Sequence, residues 1–333
     1  MNNAQVLKVS VALCTYNGER FIEAQLNSIL NQSRPPDEII VCDDGSTDNT
    51  IDIVRAVSLT HPGIIRIFKN HANLGCVRNF EQAIRRATGN VIFLSDQDDV
   101  WLRDKIKVMC APFIEDQGVG LVYSDALITD TSLNHTGCTL FNRRKNLRIN
   151  RVRSARQLVK GVGINGCTMA FRSTLIEFAL PVYRGWGHDH WIAFIAHAVT
   201  GIYPVAKPLM LYRRHGNNCG IDLTLEDRWL EKWKRILETS GTAVYTGDRR
   251  RWEAMCRRLW EINMEKDSGV ANRSRFLEYL GECEQRLEFA LQRERLIQAM
   301  RIKRLPLLWG LFRGDYHRHL KGMGSFIKDL IIR

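Results

Sequence analysis

Residues 90–101 read NVIFLSDQDDVW: an apolar run, 91–94, that ends abruptly in Ser95, Asp96, Gln97, Asp98 and Asp99. A short apolar run bounded by polar residues is the pattern of a buried strand. Three carboxylates in four positions therefore stand at its carboxyl end. Working outward, residues 9–13, 38–42 and 64–68 are further runs of this kind. Between them Ile22, Leu26, Ile29 and Leu30, and then Phe80, Ala83, Ile84 and Ala87, recur at helical spacing, with Gly89 as a helix stop. Ser46 or Thr47 is placed to cap the helix that carries Ile51 and Val54. Strands alternating with helices predict an α/β chain with a doubly wound, mostly parallel sheet. Ligands bind such sheets beyond the carboxyl ends of the strands. There Cys14-Thr15-Tyr16-Asn17, Asp43-Asp44-Gly45-Ser46 and the carboxylates of Asp96, Asp98 and Asp99 converge.

The chain has 333 residues, 45% of them hydrophobic, enough for one large domain or a domain with an appendage. Its nine cysteines are scattered without a C-x-x-C pair, which argues against a zinc knuckle or redox dithiol and suits a reducing compartment. The opening MNNAQVLKVS lacks the pattern of a signal peptide. Residues 191–212 are apolar but carry His197, Lys207, Pro204 and Pro208, so they read as a buried helix followed by a strand rather than a membrane span. The net charge of +12 is concentrated: residues 141–160 hold eight basic side chains and no acid, and residues 301–333 hold eight against two. Such patches suggest an anionic partner: phosphates, a nucleic acid or an acidic membrane face. Beyond about residue 222 the pattern is long, charged and amphipathic, a helical carboxyl-terminal region.

Neighbouring carboxylates repel; two sharing a site raise one pKa, at about 1.4 kcal/mol per unit. The cluster is comfortable when solvated at a helix start, since Asp99 precedes Trp101-Leu102-Arg103, or when a cation bridges it. Oxygen ligands without cysteine suit Mg²⁺ or Mn²⁺, and Mg²⁺ completes its shell with substrate phosphates.

The blocks VSVALCTYNGERFIEAQLNSILNQ (9–32), DEIIVCDDGSTDNT (37–50) and NHANLGCVRNFEQAIRRATGNVIFLSDQDDVW (70–101), in this order, resemble the family 2 inverting glycosyltransferases of the GT-A fold. Weaker similarity continues through GCTMAF, WGHDHW and YRRHGNN to about residue 220. SDQDDVW and YRRHGNN are similar to the rhamnosyltransferase-like branch, which uses dTDP-rhamnose. The resemblance implies a GT-A domain over 1–222, with a nucleotide-binding half (1–110) and an acceptor half (111–222), and a helical region over 223–333.

It further implies that Asp98 holds a Mg²⁺ or Mn²⁺ ion on the donor diphosphate, that Asp96 meets the metal or ribose, and that Asp99 faces the sugar or acceptor. Asp44 would read the N3–H of a pyrimidine, Tyr16 would pack near the base, and Glu19 and Arg78 would touch the donor, with Asp43 structural. Asp189 aligns with the catalytic base, flanked by His188 and His190, either of which could serve chemically. Zinc is discounted in that run because adjacent helical residues do not share a face. Trp191 belongs with the acceptor side, His215 with the metal shell, and Arg213 or Arg214 with the phosphates; Cys167 is a packing residue.

The function so implied is transfer of a sugar from dTDP-rhamnose or a UDP-hexose to a glycan acceptor, a lipid-linked surface-polysaccharide precursor, at the cytoplasmic membrane face. Residues 301–333 have the composition of an interfacial helix. The alternatives are a sugar-nucleotide nucleotidyltransferase, which would need a Gly-rich phosphate loop where Cys14–Gly18 stands, and a non-catalytic binder of nucleic acid or membrane. An aromatic stacking face for nucleic acid is not evident, and a glycoside hydrolase would need no nucleotide-reading residue.

Overall fold

The computed structural model describes residues 7–142, 164–183, 185–215, 241–265 and 269–299. The expectations placed on the basic stretch beyond residue 142, on Gly216-Asn217-Asn218 and on 301–333 lie outside the described residues.

Two compact units emerge. The first opens with β1 (Val9–Thr15), α1 (Ile22–Leu30), β2 (Glu38–Asp43), α2 (Thr50–Thr60), β3 (Ile65–Lys69), α3 (Cys76–Arg86) and β4 (Val91–Ser95). Strands β3-β2-β1-β4 pair in parallel in that order. β1, β2 and β4 are buried along their whole length, which is why their sequences are continuous apolar runs rather than alternating ones. Edge strand β3 stays partly exposed. α1 buries Ile22, Leu26 and Ile29 on one face, each contributing about 1.5–3 kcal/mol. The register sets Thr15 opposite Asp43 and Leu13 opposite Ser95, so three polar strand tips end level at one edge.

Beyond β4 the sheet becomes mixed. The chain continues through β5 (Val100–Trp101), α4 (Lys105–Glu115), β6 (Val119–Thr129), β7 (His135–Thr139), a 3-10 turn (Gly166–Thr168), β8 (Met169–Arg172), α5 (Ile176–Ala179), α6 (His188–Val199) and β9 (Gly201–Arg213). β8 lies antiparallel between β4 and β6, and β9 runs parallel to β6. Residues 191–212 are thus a buried helix followed by a strand, as their sequence predicts. The two-residue β5 pairs Val100 with Leu211 and Trp101 with Met210, which draws the end of β9 onto the acidic loop. Asp99 consequently precedes a strand, not a helix; the helix begins at Lys105 with Asp104 at its N-cap position.

The second unit holds α7 (Gly241–Met264) and α8 (Arg273–Ala299). Arg249 pairs with Glu294 at 2.8 Å and the Trp260 indole donates to Glu284 at 2.9 Å, so the helices run antiparallel. Among the described residues no helix is long and apolar enough to cross a membrane.

The rim of the sheet opposite the polar tips carries a stability device. Buried Glu38 accepts from Ser10 (2.6 Å), from the Thr88 N–H (2.6 Å) and hydroxyl (2.7 Å), and from Arg66 (3.0 Å). Burial would raise its pKa, but these donors override it and hold the carboxyl at about 2. Glu38→Ala is expected to destabilise by about 2–3 kcal/mol, because it orphans buried donors to a charged group. A lowered folded pKa means that the contribution is present above the unfolded value and disappears as pH falls through about 2. Urea unfolding should therefore show an undiminished gap between wild type and variant from pH 7 to about 5, closing only under stronger acid.

Candidate active site

The loop after β1 is laced to the loop after β2. Asn17, held at φ 46°, donates its N–H to Ser46 Oγ (2.9 Å) and accepts the Thr47 N–H on Oδ1 (2.9 Å). The Gly18 N–H reaches Thr50 Oγ1 (2.8 Å). The Glu19 carboxylate accepts both the backbone (3.0 Å) and the side-chain (2.9 Å) N–H of Asn49. Glu19 is thus engaged in fixing the start of α2. The expected cap also differs: the N-cap position is Asn49, whose side chain makes no capping bond, while Asp48 Oδ1 accepts from Thr50 N (3.0 Å) and Ser46 Oγ donates to Asp43.

Asp44 is buried at the tip of β2, its N–H bonded to the Thr15 carbonyl (2.8 Å). Its Oδ1 accepts from Asn70 Nδ2 (2.9 Å) and Leu74 N (2.8 Å), and its Oδ2 from Gly75 N (2.9 Å). Gly75 has φ 81°, a conformation that favours glycine. Asp43 accepts from Gly45 N and Ser46 N and is structural in its bonding. Arg78 pairs with Glu81 on its own helix. Tyr16 follows the tip of β1 and is 47% exposed.

In the acidic loop Asp98 Oδ2 lies 2.8 Å from His215 Nε2. The Arg213 N–H donates to Asp99 Oδ1 (3.1 Å) and its Nε to the Asp98 carbonyl (2.7 Å). Phe21, from the loop before α1, stacks on His215 (centroids 5.0 Å apart) and lies under the Arg213 guanidinium at 4.7 Å. Asp99 is buried and its Oδ2 has no hydrogen-bond partner among the described residues. Burial, with Asp98 beside it, pushes the Asp99 carboxyl up to about 8.

The carboxylates of Asp96 and Asp99 and the Cys167 sulfur lie within 4.8 Å of one another. Close to them is the fully buried Lys105, which the sequence reading did not single out. Its ammonium donates to the Cys167 carbonyl (2.6 Å), touches Met210 Sδ (3.2 Å) and sits 4.3 Å from the Trp101 ring centre. Burial pulls it down to about 8, against the attraction of Cys167, Asp99 and Asp96. This group thus already has a cation nearby. The Cys167 thiol is pushed well up by burial, which suits packing rather than metal ligation. Asp98 and His215, 2.8 Å apart, are the candidate carboxylate and imidazole ligands for a divalent ion, while Asp96 lies with Asp99 and Cys167.

Asp189 is the second residue of α6, its side chain about a fifth exposed. Its Oδ1 accepts the His190 N–H (2.7 Å) and lies 3.0 Å from His190 Nδ1. Burial alone would raise this carboxyl, but His190 and His188 hold it well below the usual carboxylate range. Two residues expected on the acceptor side are buried. His188 is buried, stacked on Phe80 at 4.1 Å, and burial lowers the pKa of its ring. Trp191 is buried with its indole N–H on the Ala179 carbonyl (2.7 Å). Adjacency in sequence had grouped them with Asp189, but on a helix neighbours diverge.

The 3-10 turn neighbours the start of α6 on one side and Asp96 and Asp99 on the other. A Cβ on Gly166 would fall 2.8 Å from His188 Nε2 and 3.7 Å from Asp189 Cβ, while the next residue, Cys167, faces Asp96 and Asp99. Asp44 accepts from the Gly75 N–H, and the next residue, Cys76, has its sulfur 4.0 Å from His188 Nδ1.

Comparison with known proteins adds the following. The profile of "Glycosyl transferase family 2" matches residues 10–177. The Shigella flexneri dTDP-rhamnosyl transferase RfbG is 33% identical over 243 residues, 67% of this chain and 78% of that protein. The Escherichia coli UDP-Glc:alpha-D-GlcNAc-diphosphoundecaprenol beta-1,3-glucosyltransferase WfgD is 26% identical over 188 residues, 56% of this chain and 69% of that one. The crystal structure of S. aureus TarS 1-349 in complex with UDP-GlcNAc superposes with a TM-score of 0.55 at 17% identity, covering 97% of this chain and 81% of that chain.

Proposed function

We propose, on the premise that the chain belongs to glycosyl transferase family 2, that it moves a sugar with inversion from dTDP-rhamnose or a UDP-hexose to the hydroxyl of a lipid-linked glycan precursor. Family membership makes it a glycosyltransferase rather than a nucleotidyltransferase or a non-catalytic binder. The observation that supports the donor reading is that the tips of β1, β2 and β4, with Asp44 and the acidic loop just beyond them, end level at one sheet edge. The lipid-linked acceptor draws on WfgD's printed substrate and on the basic composition of 141–160 and 301–333.

Asp44 has three donors already, from Asn70, Leu74 and Gly75. A carboxylate offers about four lone-pair sites, so one more N–H is accommodated, as a pyrimidine ring presents. Tyr16 would cover the base. Asp98 and His215 would hold Mg²⁺ or Mn²⁺, which when bound neutralises charge on a leaving nucleoside diphosphate. Arg213 keeps the loop in place through Asp98 and Asp99.

Asp189 would take the proton of the acceptor hydroxyl, with His190 orienting it through Oδ1. A carboxylate of such low pKa is a weak base at rest. It suits a late proton transfer, because the hydroxyl becomes acidic as its oxygen bonds to the anomeric carbon.

The assay is nucleotide release from a panel of dTDP-, UDP- and GDP-sugars with Mn²⁺; neither turnover nor donor binding with any of them would sink the proposal. The lowered Asp189 pKa also sets the pH profile. At saturating metal and donor, kcat should show no acid limb between pH 8 and about 5, since the base is still ionised there. An acid limb near about 6.5, the ordinary imidazole value, would transfer the role to His190.

A further inference from the structure

We infer that Gln97 is a positioning residue that ties the Tyr16 loop to the acidic loop, so that the nucleotide side and the metal side of the site share one geometry. The inference rests on the donor-site reading above.

β1 lies between β2 and β4 in the sheet, and the loop that follows it must be held from both sides. Towards β2 the ties are Asn17, Gly18 and Glu19. Towards β4 the described ties of Thr15 and Tyr16 come from one side chain. Gln97 Oε1 accepts the Tyr16 N–H (2.9 Å) and the Thr15 hydroxyl (2.5 Å), and its Nε2 donates to the Tyr16 carbonyl (3.0 Å). The amide thus pairs with the Tyr16 backbone in both directions, like an extra rung of sheet. Tyr16 remains half-exposed although its main chain is bonded on both sides.

A carboxamide both donates and accepts in this way; an ionised Glu lacks the donor, and Met lacks the donor and offers only a weakly accepting sulfur. Gly18 makes room for it: a Cβ there would fall 2.1 Å from Oε1 and 2.4 Å from Cδ of Gln97. Gln97 stands between Asp96 and Asp98 in the chain, so displacing its amide frees the loop that carries both carboxylates.

The test uses the full chain, with Gln97→Met, Gln97→Ala, Gly18→Ala and the Gln97→Ala/Gly18→Ala double variant. Calorimetry measures Mn²⁺ alone, and UDP, dTDP and GDP in the presence of Mn²⁺; thermal unfolding is followed in parallel. Each single variant should weaken the bound nucleotide by about ten-fold and Mn²⁺ alone by about three-fold. Gly18→Ala should then add less than about two-fold in the Gln97→Ala background, because residues in contact do not act additively. Gln97→Met with wild-type affinities overturns the inference, as do independent, multiplying effects of Gly18→Ala and Gln97→Ala. A lower unfolding temperature with unchanged affinities marks Gln97 as purely structural and has the same consequence. A wild type that binds none of the nucleotides defeats the donor-site reading itself, and the inference with it.

Discussion

Replacing Asp189 with asparagine is expected to lower kcat by about 10³-fold while leaving the dissociation constant of the sugar nucleotide within about two-fold. The change is isosteric. Asparagine keeps an oxygen where Asp189 Oδ1 now accepts the His190 N–H at 2.7 Å, so the start of α6 should hold its shape. What is lost is the negative charge that would receive the acceptor's proton. His190→Gln, which removes only the orienting imidazole, should cost about ten-fold by comparison. Steady-state kinetics with direct donor binding separates the cases. A kcat within about three-fold of wild type for Asp189→Asn would show that another group accepts the proton. Equal, large losses for both variants would mean that the two side chains act as one base.

Asp98→Asn should be comparably severe but in a different quantity. Asp98 is mostly buried and its carboxylate faces His215 at 2.8 Å. Removing it takes the charged donor from the pair that best fits a divalent ion. Stabilisation of a leaving group by such an ion amounts to several kcal/mol, which corresponds to about 10³-fold in kcat/KM. Mn²⁺ affinity, read by calorimetry or by the free-ion electron spin resonance signal, should fall in parallel. Chelation of wild type should bring it to the level of the variant, and chelation of the variant should add little. Full activity of wild type after exhaustive chelation would remove the metal from the scheme and leave Asp98 a loop residue.

Much of the amino-terminal sheet was legible because its strands are buried on both faces. Such strands show up as apolar runs, and the polar residues after 13, 42 and 94 mark one edge. The order of β8, β6, β9 and β5 was not legible, since it depends on pairings between residues far apart in sequence. Lys105 reads as a solvated helix-start lysine, yet it shares its face with Met109 and Pro112 at i+4 and i+7, all buried; that spacing was the available signal. Gln97 was hidden for the opposite reason: between acidic neighbours it looks like filler, and only the backbone of Tyr16 reveals its use. Phe21 gave no sign, because its partners His215 and Arg213 come from the far end of the domain. Trp191 and His188 are buried on α6, and a motif quoted as a string conceals which way each side chain turns.

The short ladder between Val100–Trp101 and Met210–Leu211 also has a bearing on biosynthesis. A nascent polypeptide released after Ser95 but before Arg213 already carries the sequence of the parallel strands β3-β2-β1-β4 and their helices. It would still lack the guanidinium that anchors Asp99 and the imidazole opposite Asp98. Premature termination in that interval therefore yields a folded-looking fragment without a working centre, and the centre is completed only when the ribosome has delivered the last strand of the sheet.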